Sequence, residues 1–135
     1  MEMNLEMAQT LVSKAIEKAI GEFKRPICVA VCDQYGFVTA FTRMDGAPVR
    51  SIKLSQGKAY TAARTGVNTD AFLERLHREN IPASYFCDDG LTGMPGGSVL
   101  KDSAGNIVGG AGISGLAAQE DQVIANMMAE IVQKG

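Results

Sequence analysis

The sequence predicts a single α/β domain in which helices surround two β-hairpins. Three observations lead to this class. The chain has 135 residues, 46% hydrophobic and 21% charged, an ordinary balance for one globular domain. Both terminal segments repeat apolar residues at helical spacing. Short apolar runs joined by turn residues lie between them, as in hairpins.

The first half of the chain is predicted to form a helix, a hairpin and a second helix. Apolar residues recur at threes and fours over residues 4–23, and Gly21 is the expected end of this helix. Residues 27–32 are apolar at every position, as in a strand covered on both faces, and a turn connects them to a second strand at 37–44. Residues 51–64 are helical in composition and stop at Gly66.

The second half is predicted to form a short helix, a long loop, a hairpin and a terminal helix. The short helix runs to about residue 80, and the glycine-rich stretch 81–97 is the kind of loop that often carries function. Strands at 98–101 and 107–113 form the second hairpin. The latter strand consists largely of small residues, so another element is expected to pack closely against it. Residues 117–133 form the last helix.

Charge and composition exclude several classes of partner. The net charge is −2 and the isoelectric point is near 5.4, so no basic field exists to attract nucleic acid or an anionic membrane. The N-terminus lacks the pattern of a signal peptide and no segment is long and apolar enough to span a bilayer, so a cytoplasmic location is predicted. The three cysteines, Cys28, Cys32 and Cys87, are expected to be small buried apolar residues.

Three groups of motifs, in this order and spacing, resemble the GlcG/HbpS-like family over nearly the whole chain, residues 1–135. The first is Val31-Cys32-Asp33 with Gly36, followed by Arg43-Met44-Asp45-Gly46-Ala47. The second is Lys58-Ala59-Tyr60-Thr61-Ala62. The third is Pro95-Gly96-Gly97, then Gly105, Val108-Gly109, Gly112-Ile113-Ser114-Gly115 and Asp121.

The resemblance implies a profilin-like three-layer α/β/α sandwich with a mainly antiparallel sheet, assembled as a homo-oligomer. Members of this family bind haem, and others accompany corrinoid adenosyltransferases or glycolate, diol or glycerol metabolism. The resemblance therefore predicts a small ligand-binding protein for haem or a related tetrapyrrole, acting as an accessory or sensor in metabolism. Two alternatives stay open: an enzyme or enzyme accessory for a small hydroxylated or carboxylate metabolite, and a purely structural oligomer subunit.

Two cations are candidates for binding a ligand carboxylate, such as a haem propionate. Arg43 stands at the end of a strand beside Asp45, and Lys58 lies in the second helix. The alternative for Arg43 and Asp45 is an ion pair that fixes the turn. If the protein is an enzyme, Arg43 and Lys58 are the expected anchors, and Asp45 or Asp121 the expected acid or base.

Glycine-rich segments are candidates for contact with an anion or with the edge of a flat ligand. Pro95, Gly96 and Gly97 form one segment, and Ser114 with Gly115 the other; both expose backbone N–H groups with no side chain in the way. The alternative is that these glycines only allow tight turns and close packing.

Few residues are candidates for holding a metal. His77 is the single histidine and a candidate axial ligand for haem iron. The alternative is that His77 is a solvent-exposed residue on a polar helix surface. The pairs Asp88-Asp89 and Glu120-Asp121 offer oxygens to a hard cation; the alternative is that these acids cap a helix or simply face solvent. No zinc-ligand spacing and no GxSxG elbow are present, so no catalytic residue is assigned.

Overall fold

The computed structural model describes residues 1–135 and contains the predicted elements in the predicted order. The principal elements are α1 (Leu5–Lys18), β1 (Cys28–Asp33), β2 (Val38–Arg43), α2 (Arg50–Thr65), α3 (Thr69–Glu79), β3 (Gly97–Lys101), β4 (Ile107–Ser114) and α4 (Ala118–Lys134). Helix α1 begins where the side chain of Asn4 accepts a hydrogen bond from the N–H of Met7 at 2.8 Å. No helix has the length and apolar character that crossing a bilayer requires.

The four strands form one antiparallel sheet in the order β2-β1-β4-β3. Helices α1 and α4 cover one face, and α2 covers the other and also contacts α3. The predicted three-layer α/β/α sandwich with an antiparallel sheet is confirmed. Strands β1 and β4 are central, whereas β2 and β3 form the two edges.

The main core lies between the sheet and the α1–α4 layer. Leu11, Val29, Ile113 and Met128 are fully buried there. Burial of a side chain of this size contributes about 1.5–3 kcal/mol. The opposite face of β1 carries Cys32 against α2, so the prediction of a strand covered on both faces is confirmed.

Helix α2 lies directly on the small residues of β4. A Cβ atom at Gly112 would fall 1.9 Å from the carbonyl oxygen of Ser55, and one at Gly110 would fall 2.1 Å from that of Ala59. No side chain fits in these spaces. The expectation that another element packs closely against this strand is confirmed.

Two local predictions are wrong. The first helix does not stop near Gly21 but continues as a π-helical turn, Ala19–Phe23, because buried Ala19 and partly buried Phe23 still pack on the core. Cys87 is exposed rather than buried, since it follows the short 3₁₀ turn Ala83–Phe86 in a surface loop. Cys28 and Cys32 are buried as predicted.

Candidate functional site

Most of the predicted site residues lie at one end of the sheet, where β1 and β3 begin and β2 and β4 end. Cys28 at the start of β1 pairs with Arg43 on one side and with Ser114 on the other. Gly97 at the start of β3 pairs with Gly112 of β4. The fold therefore brings distant parts of the sequence to a common edge.

Lys58 is the largest fully buried side chain at this end, and its ammonium is used within the protein. Its Nζ donates to the carbonyl oxygen of Ile113 at 2.8 Å and to the Asp121 carboxylate at 3.2 Å. The other carboxylate oxygen of Asp121 accepts the N–H of Leu116 at 3.1 Å. Burial lowers the pKa of Lys58 and raises that of Asp121 to about 6, and the attraction between the two opposes both shifts.

The protein itself occupies the space beside the Gly96–Gly97 turn. A Cβ atom at Gly96 would lie 2.8 Å from the Nζ of Lys58, and one at Gly97 would lie 2.5 Å from the carbonyl oxygen of Lys58. Their N–H groups donate to the side chains of Gln122 at 2.7 Å and Thr69 at 2.8 Å. These contacts give both glycines a packing role, and their contact with a ligand stays a prediction.

The other members of the two glycine-rich segments are also held by neighbours. Ser114 is buried and its hydroxyl donates to that of Ser51 at 3.1 Å. Gly115 has a φ of +134°, and a Cβ atom there would lie 2.7 Å from the carbonyl oxygen of Pro26. Pro95 borders a cavity of about 320 Å³ beside the first turns of α3 and α4.

Arg43 is exposed and keeps unused hydrogen-bonding capacity. Its Nε and Nη2 donate to the carbonyl oxygen of Ala47 at 3.2 and 3.0 Å. Since a guanidinium has five N–H groups, three remain free. Asp45 is exposed and makes no ion pair with Arg43, so the turn is fixed by Ala47 and the alternative of an Arg43–Asp45 pair is wrong.

A cationic cavity of about 400 Å³ lies beside this turn, where the π-helical turn meets the end of β2. Its six lining residues are Ile20, Lys24, Arg25, Pro26, Met44 and Asp45. Lys24 is exposed and has no ion-pair partner, whereas Arg25 pairs with Glu120. The lining thus holds two cations, of which Arg25 is already paired, and the carboxylate of Asp45, beside apolar and thioether surface.

An uncharged groove of about 600 Å³, with both apolar and polar lining, lies between α1 and the edge strand β2. We call it the α1–β2 groove; it is lined by Leu5, Gln9, Val12, Ser13, Ile16, Thr39, Ala40, Phe41 and Thr42. None of these residues is titratable. The groove therefore offers apolar and hydroxyl contacts, and charge is supplied only by the neighbouring cationic cavity.

The candidate metal ligands are not gathered together. His77 is exposed near the end of α3. The carboxylate of Asp88 accepts the Tyr60 hydroxyl at 2.8 and 2.9 Å, which raises the pKa of Tyr60, and Glu120 is paired with Arg25. No three side chains of the His, Cys, Asp and Glu types are close enough together to hold a metal ion.

Neither the cationic cavity nor the α1–β2 groove was predicted from the sequence. The signal for the first was present, because Lys24-Arg25-Pro26 places two adjacent cations between a helix and a strand. The signal for the second was absent, since nothing in the sequence shows that α1 lies beside β2 rather than beside β3. Only the order of strands in the sheet provides that information.

The fold and site define a small α/β/α sandwich with a buried Lys58–Asp121 pair and an uncharged groove next to a cavity that holds Lys24 and Arg25. A family model described as "Haem degrading protein HbpS-like" matches residues 3–130. The chain belongs to this HbpS-like family. The match spans all four strands and α4 as far as residue 130, so it covers both the groove and the buried pair.

Individual relatives agree with this assignment. The chain is 28% identical over 125 residues to an uncharacterized 15.0 kDa protein in the dhaT-dhaS intergenic region of Citrobacter freundii, covering 89% of this chain and 82% of that protein. A double variant of HbpS from Streptomyces reticuli is 26% identical with a TM-score of 0.86, over 98% of this chain and 88% of that one. A PduOC–haem complex is 25% identical with a TM-score of 0.84, over 96% and 94%.

Proposed function

We propose that this protein binds haem or a related tetrapyrrole in the α1–β2 groove, with the carboxylates of the ligand at the cationic cavity. The observation that carries the proposal is the order of two neighbouring surfaces: an uncharged groove between α1 and β2, then a cavity with Lys24 and Arg25 just beyond their ends. A haem has the same arrangement, since its apolar macrocycle carries two propionates on one edge. The haem named in the PduOC complex supports this choice of ligand.

The groove fits the apolar part of such a ligand. Leu5 is 55% exposed and Ile16 is half-buried, so they leave apolar surface open to the groove, whereas Phe41 packs against the smaller core on the α2 face of the sheet. Covering such surface contributes about 25 cal/mol per Å². Because no titratable group lines the groove, its geometry supports binding and orientation rather than acid–base catalysis there.

The cationic cavity fits the propionates. Lys24 lines the cavity, is exposed and has no ion-pair partner. Lys58, in contrast, is buried against Asp121 and has no solvent-facing charge. In this proposal Lys24 is the anchor for a propionate, and Lys58 stabilises the end of the sheet from inside. Arg43 does not line the cavity, so its role as an anchor stays a prediction. Bound haem would supply an iron centre with strong visible absorption.

A haem titration of a variant whose groove is blocked by a charged side chain tests the proposal. Ser13 and Thr10 are both exposed on α1, but only Ser13 lines the groove. We expect Ser13→Glu to weaken haem binding at least about tenfold, because a carboxylate would be buried against the macrocycle. Thr10→Glu adds the same charge outside the groove and should leave the affinity unchanged. Equal affinities of the two variants would contradict the proposed location.

A small metabolite is a second candidate ligand, because the cavity of about 320 Å³ beside Pro95 combines apolar surface with side-chain amides. Gln119, Gln122 and Asn126 contribute to it, and no lysine or arginine does. Such a site favours a neutral hydroxylated compound over a carboxylate. Calorimetric titration with small polyols, comparing Asn126→Leu with the unaltered protein, tests it; no heat of binding in either would remove this candidate.

The biological setting is proposed at a coarser level. An accessory or sensor role agrees with a binding groove that lacks titratable residues. An association with diol or glycerol metabolism has its support in the dhaT-dhaS location of the Citrobacter relative. Cytoplasmic location and homo-oligomeric assembly also remain proposals. Sedimentation velocity of the purified protein tests the assembly, and a monomer at all concentrations would contradict it.

A further inference from the structure

The β3 edge of the sheet is sealed by side chains of the chain itself. The N–H of Gly97 donates to the hydroxyl of Thr69 at 2.8 Å, and the N–H of Val99 donates to the side-chain oxygen of Asn68 at 3.0 Å. The carbonyl oxygen of Gly97 accepts the side-chain amide of Gln122 at 2.9 Å. Because these outward backbone groups are already satisfied, the β3 edge offers little to a further strand.

The β2 edge has no such cover. The N–H of Met44 donates to the carbonyl oxygen of Ile27 at 3.0 Å. The alternation of an antiparallel ladder then directs the backbone of Thr42 toward β1 and that of Phe41 and Arg43 away from it. Since β2 is the last strand on this side, the outward N–H groups have no partner within the chain.

The sequence of β2 also lacks the features that keep edge strands apart. Its six residues, Val38–Arg43, include no proline, no lysine and no acid, and the one charge stands at the last residue. The irregularity in its pairing lies at the beginning, between Val38 and Ala40. Large apolar side chains flank the edge, since Phe37 is 68% exposed and Leu5 on α1 is 55% exposed. Such an edge suits a strand from another chain.

The charges at the two ends of this edge complement each other under a two-fold axis. Helix α1, continued by its π-helical turn, and strand β2 both end at the cationic cavity, so they run in the same direction. Glu2 and Glu6 lie exposed at the beginning of α1; Lys24 and Arg43 lie exposed at the other end, near Asp45, and none of these residues forms an ion pair. Two antiparallel copies therefore bring the acidic end of each to the mainly basic end of the other.

We propose that a second copy of this chain occupies the β2 edge, with its own β2 antiparallel to the first across a two-fold axis. The outward backbone groups of Phe41 and Arg43 then bond to the partner strand, and two sheets of four strands become one continuous sheet. Both α1 helices lie on the same face of this sheet, where the open sides of Leu5 and Ile16 turn toward the partner helix.

This inference concerns the protein without haem and does not rest on the function proposed above. The pairing covers β2 and α1 residues that also line the α1–β2 groove, so the dimer and the haem complex are alternative states. The experiment therefore uses haem-free protein.

Amide hydrogen exchange, read by NMR at rising protein concentration, tests the pairing directly. We expect exchange of the Phe41 and Arg43 amides to slow at least about tenfold as the dimer forms, because these amides gain hydrogen bonds. The Thr42 amide already faces β1 and is the internal control; it should be protected at every concentration. Sedimentation velocity on the same samples gives the fraction of dimer.

A charge variant tests the orientation of the two copies. Glu6→Lys places a cation near the basic end of the partner, so it should weaken dimerisation at least about threefold at low salt. Glu130→Lys is the matched control, because Glu130 is exposed on α4 away from the β2 edge, and it should leave dimerisation unchanged. Equal association of the two variants would contradict the antiparallel arrangement.

Two results would overturn the inference. A haem-free protein that stays monomeric at every concentration leaves the β2 edge to another occupant, such as an extended segment of a different protein. A dimer whose Phe41 and Arg43 amides exchange as fast as in the monomer uses another surface. Neither result bears on haem binding, which is measured separately by titration.

Discussion

The Lys58 ammonium lies 3.2 Å from the Asp121 carboxylate, and both side chains are almost completely withdrawn from solvent. Lys58 belongs to α2 on one side of the sheet and Asp121 to α4 on the other. The carbonyl oxygen of Ile113 in β4 is also bound by Lys58. This pair connects all three layers at the end of the sheet where the predicted site residues meet.

Removing one member of this pair is expected to destabilise the fold strongly. Asp121→Ala leaves a buried ammonium without its counter-charge, which costs about 3–5 kcal/mol. Glu79→Ala removes the exposed partner of Arg75 and should cost less than about 1 kcal/mol. Urea denaturation at neutral pH measures both changes. Similar small losses in the two variants would show that the buried pair contributes no more than a surface pair.

Titration of Asp121 should contribute to the pH dependence of the free energy of unfolding. Its pKa in the folded protein is raised to about 6 from 3.8, so the folded state binds the proton more tightly than the unfolded state. The stabilisation that comes from this tighter proton binding is fully present below the unfolded pKa of 3.8 and is lost as the pH rises through about 6.

Asp121→Asn isolates that contribution, because an amide does not titrate. As the pH rises from 4 to 6, the free energy of unfolding of the unaltered protein should fall relative to that of Asp121→Asn. Other carboxyl groups act in both proteins and cancel in the difference; one is Asp102, whose pKa is lowered by hydrogen bonds from Asn106. A difference that does not change with pH would contradict the prediction.

The contact between α2 and β4 predicts an intolerant glycine. Gly112→Ala would place a Cβ atom 1.9 Å from the carbonyl oxygen of Ser55, so the helix must move away from the sheet. We expect a loss of about 3 kcal/mol or more, at the upper end of overpacking costs. Gly21→Ala is the control, because its Cβ atom would meet nothing within 4 Å. Equal melting temperatures of the two variants would show that the backbones separate easily.

Charge changes at the cationic cavity should alter haem affinity in opposite directions. Lys24→Gln removes an attraction for a propionate and Asp45→Asn removes a repulsion, and both residues line the same cavity. Each change should be about fivefold, since exposed charges contribute up to about 1 kcal/mol. The effects should shrink at high salt. Titration at two ionic strengths measures them, and changes of the same sign would place the propionates elsewhere.

Local sequence patterns predicted the elements of this fold well, because each has a clear signal. The helical period of residues 4–23, the apolar strand 27–32 and the small residues of the strand 107–113 each specify a local environment. The same patterns predicted that the first helix ends at Gly21, but the core packing of Ala19 and Phe23 outweighs the low helix propensity of the glycine and the helical turn continues. Cys87 was misjudged because a residue type alone does not show whether a loop is covered.

The site was predicted only in part, since charge partners depend on tertiary contacts. The motif residues Arg43, Gly97 and Ser114 were predicted as site residues, and the sheet register places them at one end of the sheet. The pairing of Lys58 with Asp121 joins residues 63 positions apart and has no local signal. The α1–β2 groove likewise depends on which strand lies beside α1.

The most direct test of the central claim is a map of where haem binds. We would record amide NMR spectra of the protein while adding ferric haem, whose paramagnetism broadens nearby signals. The account predicts saturable broadening of α1 and β2 amides around Ser13, Ile16 and Phe41, with Gly96 and Gly97 little affected. Broadening centred on Gly96, Gly97 and Ser114 would contradict the groove, and the absence of any saturable change would contradict haem binding.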